Sequence, residues 1–214
     1  MNALGMVEVY SFTTAVCVAD IVAKTSDVKI IAFDRNRPIS PDVPAPLVMI
    51  VKFEGSVAAV NAAVEAGVEY AKSEGKYIVS HVIPNPGDGV EKMAYLMDVN
   101  KDKFNKKLPK SFLGVDYSAP ANNDEAIGLL EVQGLVASIE GADAMLKAAN
   151  VRLIHSEKRL GGRLVTFIIR GKVDAVSAAI AAGEENAKAL GEIFGKAVIA
   201  RPHDEVIKFF DIEE

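Results

Sequence analysis

Side chains that commonly carry out chemistry are few and widely spaced in this sequence. The single cysteine is Cys17, and the three histidines are His81, His155 and His203. One cysteine cannot form an intramolecular disulfide or the several-cysteine metal site of a single chain, and histidines this far apart match no ligand spacing. We therefore predict that Cys17 is a small structural residue, that the histidines are structural polar residues and that no metal is bound.

Two short motifs resemble binding loops without completing them. Residues 191–196 are one residue too short for the spacing that cradles a phosphate. The alternating polar run 98–102 has the pattern of a calcium loop, but Lys103 stands where the turn needs glycine and Pro109 where a bidentate glutamate is needed. A nucleophile elbow and a zinc-binding helix motif are also missing. The sequence therefore predicts a protein that is not an enzyme and uses no cofactor.

The overall charge and hydropathy exclude further classes of partner. The 214 residues include 24 Lys plus Arg and 29 Asp plus Glu, a net charge of −5, which argues against nucleic acid. The lysine-rich part of 101–110 contains Phe104 as its one aromatic residue, so we interpret it as a solvated linker. No apolar run is long enough to cross a bilayer, and the N-terminus lacks a signal-peptide pattern. We expect a cytoplasmic protein without a membrane partner.

The chain contains an internal duplication. Residues 4–31 match the sequence 123 positions later at 8 of 28 positions, and residues 55–86 match the sequence 116 positions later at 15 of 32. The change of offset gives the first copy seven extra residues within 34–46, a segment with four prolines that we predict to be a loop. The predicted domains are 1–95 and 124–214, joined by a polar connector at 96–123.

Each copy shows the pattern strand, helix, strand, strand, helix, strand. The strands are short apolar runs rich in β-branched residues. In the first helix of each copy, apolar or small residues recur at helical spacing and predict one face packed on a sheet; they are Val16, Ala19, Val22, Ala23 and Ser26, then Ile139, Ala142, Met145, Leu146 and Ala149. Gly67 and Gly183 predict close packing of the second helix on the sheet. The fold class is α+β: two tandem ferredoxin-like, split βαβ domains with antiparallel sheets.

The second copy resembles the shell proteins of bacterial microcompartments. The resemblance is carried by the run DAMLKAANV at 143–151, by RGKV at 170–173 and by the triplet Arg201, Pro202 and His203. It extends through almost all of both copies, with the first more divergent. Two fused copies in the unpermuted element order are similar to the tandem-domain class, whose members form homotrimers that imitate a hexamer.

This resemblance implies a structural tile that packs edge to edge with other shell proteins around encapsulated enzymes, with small polar metabolites passing through a central pore. The residues it assigns to the tile edge are Lys24, Lys147, Arg201, Pro202 and His203. Asn85 and Gly87 stand in the first copy where the second has Arg201 and His203. A ferredoxin-like small-molecule-binding regulatory protein is the alternative that the sequence leaves open, and an enzyme without an identifiable catalytic residue is the third.

The pore loops of the family lie between the second and third strands, which corresponds to 34–46 and 157–163 here. The implied pore residues are Arg35, Arg37, Pro38, Ile39, Ser40, Arg159, Leu160, Gly161 and Gly162. Glycines there let backbone amides face the channel, and arginines, including Arg163, add positive charge, so small anionic or polar metabolites are expected. One tandem subgroup of the family holds an iron-sulfur cluster through a cysteine in the first-copy loop. Segment 34–46 has no cysteine, so we do not expect a cluster of that kind here.

Overall fold

The computed structural model describes residues 2–36, 47–87, 90, 94, 125–157 and 163–210. These residues form two compact units. The first contains the described residues up to Ala94 together with Glu205–Phe209, and the second contains the described residues from 125 to 204 together with Phe210.

The first unit has the predicted element order. Its elements are β1 (Ala3–Tyr10), α1 (Phe12–Thr25), β2 (Val28–Asn36), β3 (Val48–Gly55), α2 (Val57–Ser73) and β4 (Tyr77–Ile83). Both helices begin after a serine whose side-chain oxygen accepts a hydrogen bond from a first-turn amide: Ser11 accepts from the amide of Thr14, and Ser56 from that of Ala59. Such caps satisfy one of the amides that a helix start leaves without an intrahelical acceptor.

The second unit repeats the order. Its elements are β5 (Ala126–Gln133), α3 (Leu135–Ala148), β6 (Arg152–Glu157), β7 (Leu164–Gly171), α4 (Val173–Lys188) and β8 (Glu192–Ile199). A short helix, α5 (Asp204–Ile207), follows β8. The core of the second unit lies between its helices and its sheet and includes Leu130, Val132, Met145, Phe167 and Ile169.

Each unit has a four-stranded antiparallel sheet, ordered β2-β3-β1-β4 in the first and β6-β7-β5-β8 in the second. The duplication extends to details of register. Ala3 pairs with Gly55 as Ala126 pairs with Gly171, and both sheets carry bulges at equivalent positions, one of them after Glu8 and Glu131. The predicted fold class, two tandem ferredoxin-like split βαβ domains, is confirmed.

Glycines allow the close approach of helices in both units. A Cβ on Gly128 would lie 2.7 Å from Val176 Cγ1, so this strand residue lets α4 approach the sheet. Gly183 was predicted to allow close packing of α4 on the sheet, and a Cβ there would lie 3.0 Å from Leu130 Cδ2 of β5. The same glycine also lets α4 approach α3, because the Cβ would lie 2.5 Å from Met145 Cγ. Gly67 likewise approaches Val18 and Val22 of α1.

Two predictions about element limits and faces are wrong. Strand β2 continues to Asn36, so residues 34–36 belong to a strand and not to the predicted loop, because they pair with Val48–Ile50 of β3. In α3 the buried stripe is Ala137, Ser138, Gly141 and Met145. Ile139 and Leu146, predicted to pack on the sheet, are exposed because this stripe, two turns long, already fills the contact with α4 and the sheet.

Candidate functional site

The antiparallel registers give each unit two distinct ends. In the second unit, strands β5 and β6 begin at one end of the sheet, and β7 and β8 finish at that same end, which we call the edge end. The opposite end, where β6 leads to β7, is called the loop end. The first unit has the same two ends, with β2 leading to β3 at its loop end. Strands of eight residues separate the ends by roughly 25 Å. The described residues implied for the tile edge and for the pore loops therefore fall on opposite ends of each unit.

The edge-end lysines form equivalent ion pairs. Lys24 lies 2.5 Å from Asp20 and Lys147 lies 2.5 Å from Asp143, each pair one helical turn apart. The hydrogen bond that Lys147 donates to the Asp143 carboxylate raises the pKa of Lys147, so this ammonium is charged across the physiological pH range. The side chain of Lys147 is 75% exposed and that of Lys24 43% exposed. The second unit thus presents the more accessible cation.

Arg201, Pro202 and His203 follow β8, so the strand register brings them to the same end of the sheet as Lys147. Arg201 is exposed, Pro202 is buried and His203 is partly exposed. In the first unit Asn85 is exposed at the position equivalent to Arg201. The second unit thus has an exposed lysine and an exposed arginine at this end, whereas the first unit has a less exposed lysine and an asparagine.

At the loop end two of the implied arginines are described. Arg35 lies within β2 opposite Met49 and is half-buried, which corrects its assignment to a loop. Arg163 is exposed and precedes β7 with a φ of 62°, and its carbonyl accepts a 2.9 Å hydrogen bond from the amide of Gly134 at the start of α3. The remaining implied pore residues lie outside the described residues: Arg37, Pro38, Ile39, Ser40, Arg159, Leu160, Gly161 and Gly162.

The two units differ most in the exposure of their first helix. In α3 an apolar surface faces solvent in the single chain, with Val136 72% exposed and Ile139 56% exposed, alongside Leu135 and Leu146. The equivalent positions of α1 are buried; they are Phe12, Thr13, Val16 and Ala23. We call the four α3 residues the α3 patch. This patch was not predicted from the sequence, although apolar residues at both 135 and 136 exceed what one buried stripe can hold.

Ion pairs on the sheets, one buried and the others partly buried, were also not predicted from the sequence. Lys52 Nζ lies 2.6 Å from Asp34 Oδ2, and both side chains are nearly inaccessible. In the second unit the carboxylate of Glu125 lies 2.6 Å from Arg152 and 3.3 Å from the buried Arg170. Charged residues inside strands that are otherwise β-branched were the available signal. Removing one member of such a pair leaves an uncompensated buried charge, so loss of either partner should destabilise the sheet.

The described groups offer little reactivity. Burial raises the pKa of the Cys17 thiol to about 11, and a hydrogen bond with Tyr70 offsets this rise only in part. The thiolate that would act as nucleophile is therefore scarce at neutral pH. Across the described part of the chain, no three His, Cys, Asp or Glu side chains converge in a way that could hold a metal ion. In the same part of the chain, no helix combines the length and the hydropathy that crossing a membrane requires.

The fold defines a tandem protein of two ferredoxin-like modules. The model of the BMC domain matches the chain twice, at residues 3–86 and 126–202. The chain therefore belongs to the BMC-domain family, with two copies of the domain in tandem.

The curated relatives fall into a long and a short type. The carboxysome assembly protein CcmO of Synechococcus elongatus is 32% identical over 206 residues, covering 96% of this chain and 67% of that protein. The bacterial microcompartment shell protein PduA of Citrobacter freundii is 52% identical over 84 residues, 39% of this chain and 89% of that protein. A solved microcompartment protein from Desulfitobacterium hafniense DCB is 25% identical, covers 97% of this chain and 99% of its own, and has a TM-score of 0.37.

Proposed function

We propose that this chain is a structural shell protein of a bacterial microcompartment, and that three copies form a pseudo-hexameric tile with a central pore. The tandem BMC domains and the relatives named as shell and carboxysome assembly proteins support the structural role. On this proposal the protein performs no catalysis; its partners are its own copies and other shell proteins, with encapsulated enzymes on the inner side.

The α3 patch is the observation that carries the trimer. A contiguous exposed apolar surface on a helix marks a contact with another molecule. The equivalent positions of α1 are buried, so the same helix face is buried in one copy of the domain and exposed in the other. In a ring closed by head-to-tail contacts, every copy of a surface meets the same neighbouring surface, so all copies are covered equally. A second copy of this chain is thus the occupant that fits the patch, and six domains in a ring require three chains.

Light scattering, followed by negative-stain microscopy, tests this assembly. A trimer has three times the 22.8 kDa chain mass and should appear as flat discs that tile into layers. Val136→Glu, which puts a charge in the α3 patch, is expected to reduce the mass to that of one chain. Val173→Glu is the matched control, because Val173 is exposed on α4 outside the patch, and should leave the trimer intact.

Two results would overturn the ring. The wild-type protein could remain a monomer or dimer at high concentration, in which case a regulatory small-molecule-binding protein becomes the better model and calls for a metabolite screen. Alternatively, Val136→Glu could retain the trimer mass, which would show that the α3 patch is not the contact.

The pore is proposed at the loop ends of the units. Arg35 and Arg163 lie there, and positive charge at a narrow opening raises the local concentration of anions. Arg163→Gln should therefore slow the passage of a small carboxylate into assembled shells more than that of an uncharged molecule of similar size. Lys188→Gln, an exposed charge on α4, is the control. If shells of Arg163→Gln and of Lys188→Gln pass each probe at the same rate, charge selection by the pore is refuted.

A further inference from the structure

A short C-terminal segment groups with the first unit although it follows the second domain in sequence. The second family match ends at residue 202, and Glu205–Phe209 lie beyond it. These five residues, which include most of α5, belong to the first unit. They are thus neither part of the matched domain nor an unattached tail.

The segment makes a polar contact with an edge strand. The backbone amide of Ile30 donates a 2.7 Å hydrogen bond to Glu205 Oε2. Ile30 lies in β2, the outer strand of its sheet, and the register of β2 shifts between Ile30 and Ala32. One side of an outer strand has no neighbouring strand to accept its amides. The Glu205 carboxylate therefore supplies an acceptor at an irregular point of this edge.

An aromatic contact fixes the other end of the segment. The buried ring of Phe209 packs edge to face on Phe33 of β2, with centroids 4.9 Å apart and an interplanar angle of 89°. Phe33 in turn lies 6.2 Å from the ring of Phe12. Lys208 connects the two anchors, since its ammonium pairs with Glu205 and lies 5.4 Å from the Phe209 ring centroid.

We propose that Glu205–Phe209 form a clasp that closes the β2 edge of the first unit and prevents another strand from pairing there. Exposed edge strands are templates for association with other chains, and natural sheets cover them. The Phe33 and Phe12 rings have no aromatic counterpart in the second unit, which has Ser156 and Leu135 at the equivalent positions. Phe210, the residue after the segment, instead lies 5.4 Å from the ring of His155 in β6. Glu205 and Phe209 are therefore the residues matched to β2.

Hydrogen exchange of the full-length protein tests the clasp. In the double variant Glu205→Ala, Phe209→Ala, amides in peptides covering 28–33 should exchange at least ~10-fold faster, because a charge-assisted hydrogen bond and its cover are lost. Peptides covering β6, residues 152–157, should be unaffected. Asp204→Ala is the matched control, since Asp204 is an exposed acid one residue earlier, and it should leave both strands protected.

Unchanged protection at 28–33 in the double variant would overturn the proposal. So would equal acceleration in β2 and β6, because that pattern reports a general loss of stability. A fluorescent peptide with the β2 sequence, residues 28–34, tests the exclusion of other strands. It should bind the double variant and not the wild-type chain; equal binding to both, or to neither, would show that the segment does not guard the edge.

Discussion

At the scale of single residues, the two equivalent helix starts, Ser11 and Gly134, share an unusual backbone conformation. Their φ angles are 108° and 110°, a region that suits glycine and strains other residues. Ser11 offsets part of this strain because its side chain accepts the amide of Thr14 at 3.2 Å. Gly134 makes no side-chain cap but avoids the strain. The two copies thus reach the same backbone by different chemical means.

Gly134→Ala should lower the free energy of unfolding by about 1–3 kcal/mol, through backbone strain. Packing does not contribute, because a Cβ at this position would meet only Ala137 Cβ, at 4.0 Å. Gly134→Ser should lose less, since a hydroxyl there can cap the helix as Ser11 does. Urea denaturation measures both variants, with Gly87→Ala as the control at an unencumbered glycine. Equal stability of Gly134→Ala and wild type would contradict the strain argument.

Glu184 provides a pH-dependent contribution found only in the second copy. Hydrogen bonds donated by Lys196, which has the larger effect, and by Lys188 lower the pKa of Glu184 from the ordinary value of 4.5. A pKa lowered by folding means that the ionised form stabilises the folded state above pH 4.5, and that this gain is lost as the pH falls through the folded-state pKa. Glu184→Gln should thus cost about 0.2–1 kcal/mol at neutral pH, the range for exposed pairs.

Denaturation curves of wild type and Glu184→Gln from neutral to acidic pH measure this contribution. The two should converge as the carboxyl group of the wild-type protein becomes protonated. Glu185→Gln, at the exposed neighbouring position, is the matched control and should follow wild type throughout. A stability difference that persists undiminished in acid would contradict an electrostatic origin.

At the scale of elements, the duplication made most of the fold predictable. A strand in one copy implied a strand in the other, so weak local patterns supported one another. The β2 limit could not be read from sequence, because the pairing of Asp34 with Lys52 is a cross-strand contact that overrides the local polarity of 34–36. The α3 face was misassigned for a related reason: helical spacing does not reveal which apolar stripe meets α4 and which remains exposed.

Helix packing in the second unit depends on Gly183. Replacing glycine with alanine inside a helix normally stabilises it by about 1 kcal/mol. Here the new Cβ would lie 3.0 Å from the backbone oxygen of Gly141 and 2.5 Å from Met145 Cγ. The backbone oxygen cannot move aside as a side chain can, so overpacking, which costs about 1–3 kcal/mol, should outweigh the propensity gain. Gly183→Ala is therefore expected to destabilise the protein.

Calorimetry of Gly183→Ala measures that balance, and Ala181→Gly gives the propensity term alone, because Ala181 is exposed on the same helix. A gain in melting temperature for Gly183→Ala would indicate that α3 and α4 can separate slightly without cost.

At the scale of the whole molecule, two copies of one domain have diverged at their edge ends. Lys24 and Lys147 were identifiable from the motif they share, and so was the substitution of Asn85 for Arg201. Their unequal exposure was not, because it depends on folding: Asp20, the partner of Lys24, is buried, whereas Asp143, the partner of Lys147, is half exposed. In the proposed trimer the rim would thus alternate between three edges with an exposed lysine and an exposed arginine and three edges with a less exposed lysine and an asparagine.

This alternation predicts unequal effects of two equivalent substitutions on tile assembly. Lys147→Ala should abolish extended layers in negative stain while leaving the mass of the trimer unchanged, because it removes the accessible cation of the edge that also carries Arg201. Lys24→Ala should reduce the extent of the layers only in part, since its lysine is less accessible and its edge has Asn85 instead of arginine. The same mass for both variants separates lateral contacts from trimer formation. If Lys24→Ala disrupts layers as fully as Lys147→Ala, the two edges are equivalent in assembly despite their different exposure, and the alternating rim is wrong.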